Sequence, residues 1–221
     1  MINKVLQIIA PHHCYGCQKT GSPLCDNCKY DIVDEPFDGC IVCARPANDG
    51  ICANCRTAYE KAWCVGDRSG TLERLIDAYK FERVKDAGAS LAGLIDSCLP
   101  VMPASTAIVP VPTLRSHVRQ RGYDHTLQIA RELARLRGLT VTRPLVRRGR
   151  SVQRDRNRKE RFEQAAAAFS CDTPLDPTVP YLLIDDVVTT NATVRHCAVA
   201  LKAAGAERVW VAAVARQPLD K

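Results

Sequence analysis

The sequence predicts an α/β protein that is built on a parallel sheet and preceded by a small metal-binding domain. Four C-x-x-C pairs lie in the first sixty residues, and strand-like and helix-like segments alternate after them. A third observation is the run YLLIDDVVTTNATV, in which an apolar, strand-like segment ends at two aspartates. A chain of 221 residues is long enough for one main domain and a small satellite. We therefore expect domains at residues 1–60 and 61–221.

The N-terminal cysteines form an internal repeat, in which CYGCQKTGSPLCDNC is similar to CIVCARPANDGICANC. Two residues between cysteines let a tight turn aim both thiolates at one ion, and two such turns complete a tetrahedral site. We interpret the repeat as a double zinc ribbon with two Zn2+ sites, one held by Cys14, Cys17, Cys25 and Cys28 and the other by Cys40, Cys43, Cys52 and Cys55. Four protein ligands leave no position open for a substrate, so both ions are expected to be structural.

Two alternatives stay open for these cysteines. An interleaved pairing would join the first C-x-x-C pair to the third and the second to the fourth, because spacing alone does not determine connectivity. Redox dithiols are the other alternative, although four tandem copies favour metal binding. The sequence shows no secretory signal and no apolar run of the roughly 18 residues that a membrane-spanning helix needs. We therefore expect a cytoplasmic protein, in which thiols stay reduced.

Basic residues are concentrated in one part of the chain. The formal net charge is +7, from 31 basic and 24 acidic residues. The segment from Arg143 to Arg161 has nine basic and two acidic residues, so its excess equals the net charge of the whole chain. A segment of this kind suits phosphates, either of a nucleotide or of a nucleic acid backbone.

The alternating segments after residue 61 follow in a regular order. The strand-like segments are AWCVGD, TAIVPV, LTVTRPLV, YLLIDDV and ERVWVAAVA. The helical segments are TLERLIDAYKF, LAGLIDSCL, HTLQIARELARLRG and TVRHCAVALKAAG, of which the last two end at glycines. Alternation of this kind predicts a parallel sheet with a ligand site at the carboxyl ends of its strands.

The end of the Tyr181 strand combines two kinds of polar group. Asp185 and Asp186 follow the buried part of the strand, and we expect them at an accessible rim because buried carboxylates are costly. The turn VVTTNAT then leads into a helix that begins near Ala192 or Thr193, and a helix N-terminus is an anion site. Carboxylates for sugar hydroxyls, followed by a phosphate site, indicate a sugar 5-phosphate ligand. Aspartate pairs of other α/β proteins and threonine caps are the competing interpretations.

These residues resemble a known family. The Tyr181–Val194 segment is similar to the phosphoribosyl pyrophosphate (PRPP) loop of type I phosphoribosyltransferases, and with the cysteine repeat it resembles the ComF family, which includes competence proteins and GntX-like proteins. IVPVPTLRSHVRQRGYDH and SVQRDRNRKERFEQAAAAF are similar to two further motifs of that family. The resemblance implies a parallel-sheet type I phosphoribosyltransferase fold behind a double zinc ribbon.

The resemblance also implies roles for individual residues. Asp185 and Asp186 would be the catalytic pair that holds the ribose hydroxyls and a hydrated Mg2+. The 5-phosphate would be wrapped by Val187, Val188, Thr189, Thr190, Asn191, Ala192 and Thr193. Candidates for contact with the pyrophosphate or the acceptor are Thr113, Arg115, Arg119, Arg121 and Arg161. His117, Asp124 and His125 are candidates for a general base, and none of them can be assigned.

One departure from the family pattern affects the functional expectation. Phosphoribosyltransferases usually have glycine where this chain has Asn191, a residue that tolerates positive φ but adds a side chain near the phosphate. The implied function is that of a PRPP-binding, phosphoribosyltransferase-like protein in DNA uptake and natural competence. The alternative is a non-catalytic module that binds PRPP together with single-stranded DNA or a DNA-processing protein. A GntX-like metabolic role is the third possibility.

Overall fold

The computed structural model describes residues 12–55, 57–147 and 168–218. The strands are β1 (His12–His13), β2 (Thr20–Gly21), β3 (Lys61–Asp67), β4 (Ala107–Pro110), β5 (Thr140–Val141), β6 (Leu145–Arg147), β7 (Phe169–Cys171), β8 (Pro180–Val188) and β9 (Arg208–Arg216). The helices are α1 (Asp26–Val33), α2 (Gly70–Phe81), α3 (Ala87–Cys98), α4 (Arg115–Arg121), α5 (His125–Arg137) and α6 (Ala192–Ala203), with a 3-10 turn at Asn48–Gly50.

A five-stranded parallel sheet organises the molecule, with the strand order β3-β9-β8-β4-β5. Its central strands β8 and β9 are buried along almost their full length. Alternate residues of these strands point to opposite faces: Leu182 and Ile184 pack in one core, whereas Leu183 packs in the other. Helices α2, α3 and α5 cover the first face, and α6 covers the second. The predicted parallel α/β architecture is confirmed.

Two local predictions differ from the structure. LTVTRPLV was expected to be one strand, but it forms β5, which pairs with β4 at the sheet edge, and β6, which pairs antiparallel with β7. Pro144 separates the two because proline has no N–H to donate to a ladder. Helix α4 was not predicted, since its sequence RSHVRQR has no apolar stripe. This helix ends at Gly122, whose φ of 82° lies in the left-handed region.

The cysteine-rich segment packs directly against the sheet domain. Cys14, Leu24 and Cys28 join the core on the α2–α3 side, and Ile41 joins the core on the α6 side. Gly50 lies so close to β3 that a Cβ atom there would meet the carbonyl oxygen of Ala62 at 1.9 Å. The domain boundary near residue 60 stays a prediction, and the packing shows close contact across it.

Along the part of the chain that the structure describes, no helix combines the length and the apolar character needed to cross a membrane.

Candidate functional site

The eight N-terminal cysteines form two compact clusters. The sulfur atoms of Cys14, Cys17, Cys25 and Cys28 lie within 4.8 Å of one another, and so do those of Cys40, Cys43, Cys52 and Cys55. The sequential pairing is therefore confirmed, and the interleaved pairing is wrong. All twelve cysteines of the chain are free of disulfide bonds. Four convergent thiols are the ligand set of a structural zinc site, and both clusters are suitable for zinc.

Burial and backbone donors shift the pKa values of two thiols of the first cluster in opposite directions. Burial acts to raise the pKa of Cys14, but the backbone N–H groups of Cys25, Cys17 and Gly16 outweigh it and lower that pKa to about 6. Burial and the neighbouring thiols raise the pKa of Cys28 to about 12. One thiolate thus forms readily, whereas the fourth is strongly disfavoured. A divalent cation offsets the repulsion that four adjacent thiolates create.

A glycine allows the first cluster to close. A Cβ atom at Gly16 would lie 2.5 Å from the Cys28 sulfur, which is closer than any side chain can approach. The backbone N–H groups of Gly16 and Cys25 each point at the Cys14 sulfur at 3.4 Å. The CYGC turn therefore positions both its thiols and the donors that stabilise a thiolate.

The two aspartates of the candidate site lie inside the sheet rather than after it. Strand β8 continues through them to Val188, and Asp185 and Asp186 are 8% and 5% exposed. The expected accessible rim is wrong, because pairing with β9 extends through Asp185 to Val188. Asp185 Oδ1 accepts a hydrogen bond from the Asp186 amide at 2.9 Å, and Asp186 Oδ1 accepts one from the Val187 amide at 2.6 Å.

Two basic side chains meet the second carboxylate. Lys80 Nζ, at the end of α2, lies 2.8 Å from Asp186 Oδ2, and His125 Nε2, at the start of α5, lies 2.6 Å from the same oxygen. These are close charge contacts rather than aligned hydrogen bonds, since Asp186 Oδ2 has no well-directed donor among the described residues. Three separate elements thus converge on one buried oxygen atom.

The environment separates the two carboxylates electrostatically. Burial and the adjacent charge of Asp186 raise the pKa of Asp185 above its ordinary range. Burial also acts to raise the pKa of Asp186, but the contacts with His125 and Lys80 outweigh it and hold this pKa below its ordinary range. The pair therefore carries one firmly ionised carboxylate beside one that accepts a proton readily.

The predicted pyrophosphate turn lies next to the aspartates. Thr113 Oγ1 donates to Asp124 Oδ1 at 2.9 Å and lies 3.2 Å from Thr126 Oγ1, while the Thr126 hydroxyl donates to the Val111 carbonyl at 2.8 Å. Asp124 also accepts from the Leu127 amide and so caps helix α5. The turn after β4 is thereby held against the helix that carries His125.

Of the arginines predicted to contact the pyrophosphate or the acceptor, one lies near Asp186 and two are exposed on α4. Arg121 Nη1 lies 2.9 Å from His125 Nδ1, and His125 in turn contacts Asp186. Arg115 and Arg119 are exposed on α4. Arg161 falls outside the described residues. Arg147 was not predicted, yet its guanidinium donates to the Pro112 carbonyl at 3.4 Å and stacks on Phe169.

The predicted phosphate loop connects β8 to the N-terminus of α6. Thr189, Thr190 and Ala192 are exposed there. The first intrahelical hydrogen bond runs from the Arg195 amide to the Asn191 carbonyl at 3.0 Å. The amides before Arg195 thus belong to the first turn, where a helix provides donors and a positive dipole end for an anion.

Asn191 adopts the conformation that usually requires glycine. Its φ is 60° and its ψ is −1°, and the residue is 7% exposed. Its side chain does not cap α6; instead, Oδ1 accepts a hydrogen bond from the Tyr59 hydroxyl at 2.7 Å. The asparagine amide is therefore occupied by a partner from the segment that links the second cysteine cluster to β3.

Sequence reasoning missed Lys80, Arg147 and Tyr59 as members of this site. Lys80 lies within a helical pattern and gives no local signal, because its role depends on how α2 packs beside β8. Arg147 lies in the basic segment, where nothing distinguishes it from its neighbours. Tyr59 could have been suspected only from the asparagine, since a buried amide requires a partner.

Comparison with known proteins bears on the family resemblance. Competence protein F of Haemophilus influenzae is 27% identical to this chain over an alignment of 223 positions, including gaps, that covers 92% of this chain and 95% of that protein. The resemblance to the ComF family is confirmed. The DNA utilization protein YhgH of Salmonella typhi and that of Salmonella typhimurium are each 25% identical over an alignment of 218 positions, including gaps, that covers 85% of this chain and 94% of the relative. No protein-family model matches the chain.

Among solved structures, two similar proteins have larger chains. The glutamine PRPP amidotransferase from B. subtilis, complexed with ADP and GMP, has a TM-score of 0.42 and 19% identity, and the match covers 59% of this chain and 26% of that enzyme. The allosteric regulatory enzyme of purine biosynthesis has a TM-score of 0.44 and 18% identity, and the match covers 63% of this chain and 30% of that enzyme. This chain therefore spans less than a third of either one.

Proposed function

We propose that this ComF-like chain is a PRPP-binding, phosphoribosyltransferase-like protein that acts in the cytoplasmic handling of incoming DNA. The observation that carries the proposal is the juxtaposition of the buried Asp185–Asp186 pair with the N-terminus of α6, four residues after β8. Similarity to relatives named for competence and DNA utilization supports the physiological part. The proposal includes one Zn2+ in each four-cysteine cluster.

The three parts of PRPP correspond to three parts of the site. The ribose hydroxyls would contact Asp185 and Asp186, and the 5-phosphate would be bound by the loop from Val187 to Thr193. The pyrophosphate would lie at the turn of Pro112 and Thr113. Arg147 donates to the Pro112 carbonyl, and Arg121 contacts His125, which lies 3.4 Å from Thr113 Oγ1. Both guanidinium groups would supply positive charge for the pyrophosphate.

The carboxylates also suit a hard cation. Asp186 Oδ2 is buried without a well-directed hydrogen-bond donor among the described residues, and adjacent carboxylates provide the oxygen ligands that Mg2+ prefers. Asp185 and Asp186 would hold the hydrated ion, which when bound neutralises charge on the pyrophosphate.

The chain's own residues supply the remaining electrostatics. Displacement of pyrophosphate from the anomeric carbon builds positive charge on the ribose and negative charge on the leaving group. The ionised Asp186 would stabilise the former, whereas Arg121 and Arg147 would stabilise the latter. His125 and Lys80 hold Asp186 ionised, so this carboxylate would be ready to stabilise positive charge on the ribose.

Calorimetry with PRPP and Mg2+ tests the site assignment. Asp185→Asn and Asp186→Asn should each weaken PRPP binding at least about tenfold, because each removes a charged hydrogen-bond acceptor. Asp176→Asn is a matched control, since Asp176 precedes the same strand and its carboxylate accepts hydrogen bonds from the nearby Thr178. Equal affinities of all three variants and the original protein would refute the assignment.

A turnover screen distinguishes an enzyme from a binding protein. Consumption of PRPP should be measured with a panel of nucleobases and with ammonia as acceptors. Release of pyrophosphate that depends on one acceptor identifies a transferase. PRPP binding without any release supports the non-catalytic alternative.

Binding of single-stranded DNA is a second candidate function, and the names of the relatives favour it. The basic segment that motivates it lies mostly outside the described residues, apart from Arg143 to Arg147. Affinity should fall steeply with salt, and replacing Arg154, Arg156 and Arg158 with alanine should flatten that slope. Alanine at the exposed Arg131 and Arg135 of α5 is the control. Absence of binding at low salt contradicts this candidate.

A further inference from the structure

The segment between the second cysteine cluster and β3 reaches the phosphate loop through a single side chain. Tyr59 lies four residues after Cys55, is 4% exposed, and donates its hydroxyl hydrogen to Asn191 Oδ1 at 2.7 Å. The two residues are 132 positions apart in the chain. Since the bond is buried at both ends, water cannot replace either partner when the other is removed.

Asn191 depends on this bond for two reasons. A residue other than glycine pays a conformational cost at φ 60°, and a buried amide costs more when it lacks a partner. The Tyr59 hydroxyl satisfies the amide oxygen within the buried interior, whereas Thr189, Thr190 and Ala192 are exposed. The face of the loop that would meet a phosphate is thereby left to backbone amides and hydroxyls.

Tyr59 itself is held rigidly from both sides. The Thr57 hydroxyl donates to the Tyr59 carbonyl at 2.7 Å, and the next residue, Glu60, exchanges two hydrogen bonds with Val209 of β9, at 3.0 and 2.8 Å. The ring packs in the same core as Ile41, which lies between two cysteines of the second cluster. Burial raises the pKa of Tyr59, so its hydroxyl stays a donor throughout the physiological range.

We infer that Tyr59 is a positioning residue for the 5-phosphate loop, through which the cysteine-rich segment holds Asn191 in a glycine-like conformation with its side chain out of the anion site. The inference rests on the proposed function, because it assigns the loop to a phosphate. It gives the N-terminal segment a role in ligand binding beyond its own folding.

Three phosphate compounds and two tyrosine variants test the inference. Tyr59→Phe should weaken binding of ribose 5-phosphate and of PRPP about tenfold, because the loop loses its fixed conformation. Binding of pyrophosphate alone should not change, since it would use the separate turn at Pro112 and Thr113. Tyr181→Phe is the matched control: Tyr181 is also buried, and its hydroxyl accepts a hydrogen bond from the Asp176 amide at the far end of β8.

Rescue by glycine separates positioning from general destabilisation. Asn191→Gly removes the amide and adopts positive φ without strain, so it should bind ribose 5-phosphate with or without the Tyr59 hydroxyl. The double variant Tyr59→Phe/Asn191→Gly should therefore recover the affinity that Tyr59→Phe loses. Hydrogen exchange of the amides from Thr189 to Val194, without ligand, should be faster in Tyr59→Phe than in the original protein and in Tyr181→Phe.

The outcomes distinguish this inference from the proposed function. If Tyr59→Phe binds ribose 5-phosphate as tightly as the original protein, or if Tyr181→Phe loses as much, the positioning role is wrong while the PRPP site stands. Failure of glycine to rescue also overturns it. If the original protein binds neither PRPP nor ribose 5-phosphate, the proposed function fails. In that case the hydrogen-exchange measurement alone decides whether Tyr59 orders the loop.

Discussion

Lys80 Nζ lies 2.8 Å from Asp186 Oδ2, which joins the end of helix α2 to the central strand of the sheet. The lysine side chain is 16% exposed and the carboxylate 6%. His125 Nε2, at the start of α5, lies 2.6 Å from the same oxygen. The carboxylate that is central to the proposed site is therefore ionised by its protein surroundings before any ligand arrives.

Removing this lysine should destabilise the protein strongly. Lys80→Met leaves a buried charge with a single remaining basic contact, and we expect a loss of about 3 kcal/mol in the free energy of unfolding. Lys61→Met is the matched control, because Lys61 pairs with Asp49 at the surface and should cost less than about 1 kcal/mol. Urea denaturation measures both. Similar losses in the two variants would contradict the importance of the buried contact.

The stability of the protein should depend on pH through Asp185. Its folded-state pKa is raised, so the protonated carboxyl contributes stability that is complete below the unfolded pKa of about 4 and is lost as pH rises through the folded-state pKa. Asp185→Asn mimics the protonated form and should keep that stability. The free energy of unfolding of the variant should therefore increase relative to that of the original protein as pH increases from about 4 to about 8.

Chemical denaturation across that range, without added Mg2+, measures the difference. Both proteins contain the same cysteine clusters, so any loss of metal at low pH affects them equally. A difference in unfolding free energy that does not vary with pH would show that Asp185 has an ordinary pKa.

Metal content should follow the two cysteine clusters independently. Plasma emission should find close to two zinc ions per chain, because each cluster provides four thiols within 4.8 Å. Cys25→Ser and Cys52→Ser should each reduce the content toward one ion. Cys64→Ser is a control outside both clusters. A folded, metal-free protein would rule out the four-thiolate assignment.

Close packing of the second cluster against β3 should make Gly50 irreplaceable. Gly50→Ala adds a Cβ atom that meets the Ala62 carbonyl oxygen at 1.9 Å, at a residue whose φ is 72°. Gly122→Ala has a similar φ of 82° but no atom within 4 Å, so it isolates the conformational cost of about 1 kcal/mol. Thermal unfolding should show a much larger decrease in stability for Gly50→Ala than for Gly122→Ala. Equal losses would mean that the two segments do not approach as described.

Much of the architecture follows from local patterns. The C-x-x-C spacings predicted the four-thiol chemistry, and the alternation of helical and strand-like segments predicted the parallel sheet. The Asp185–Asp186 pair and the turn before α6 were predicted as neighbours because only a few residues separate them. The roles assigned to those residues stay predictions that the calorimetry tests.

Contacts between segments that are far apart in the chain could not be predicted from these local patterns. Sequence spacing could not choose between sequential and interleaved cysteine pairs, nor could it show that strand β8 runs through both aspartates and buries them. Lys80 and His125 reach Asp186 from elements that are far from it in the chain, and no periodicity reports such a meeting.

The sequence by itself determined which chemical groups this protein has and which of them are close along the chain: the thiol pairs, the adjacent carboxylates and the asparagine in a glycine position. Only the tertiary structure decided which charges neutralise one another and which side chain satisfies Asn191. The physical reason is that burial and electrostatic pairing depend on distances through space, which packing of the whole sheet sets.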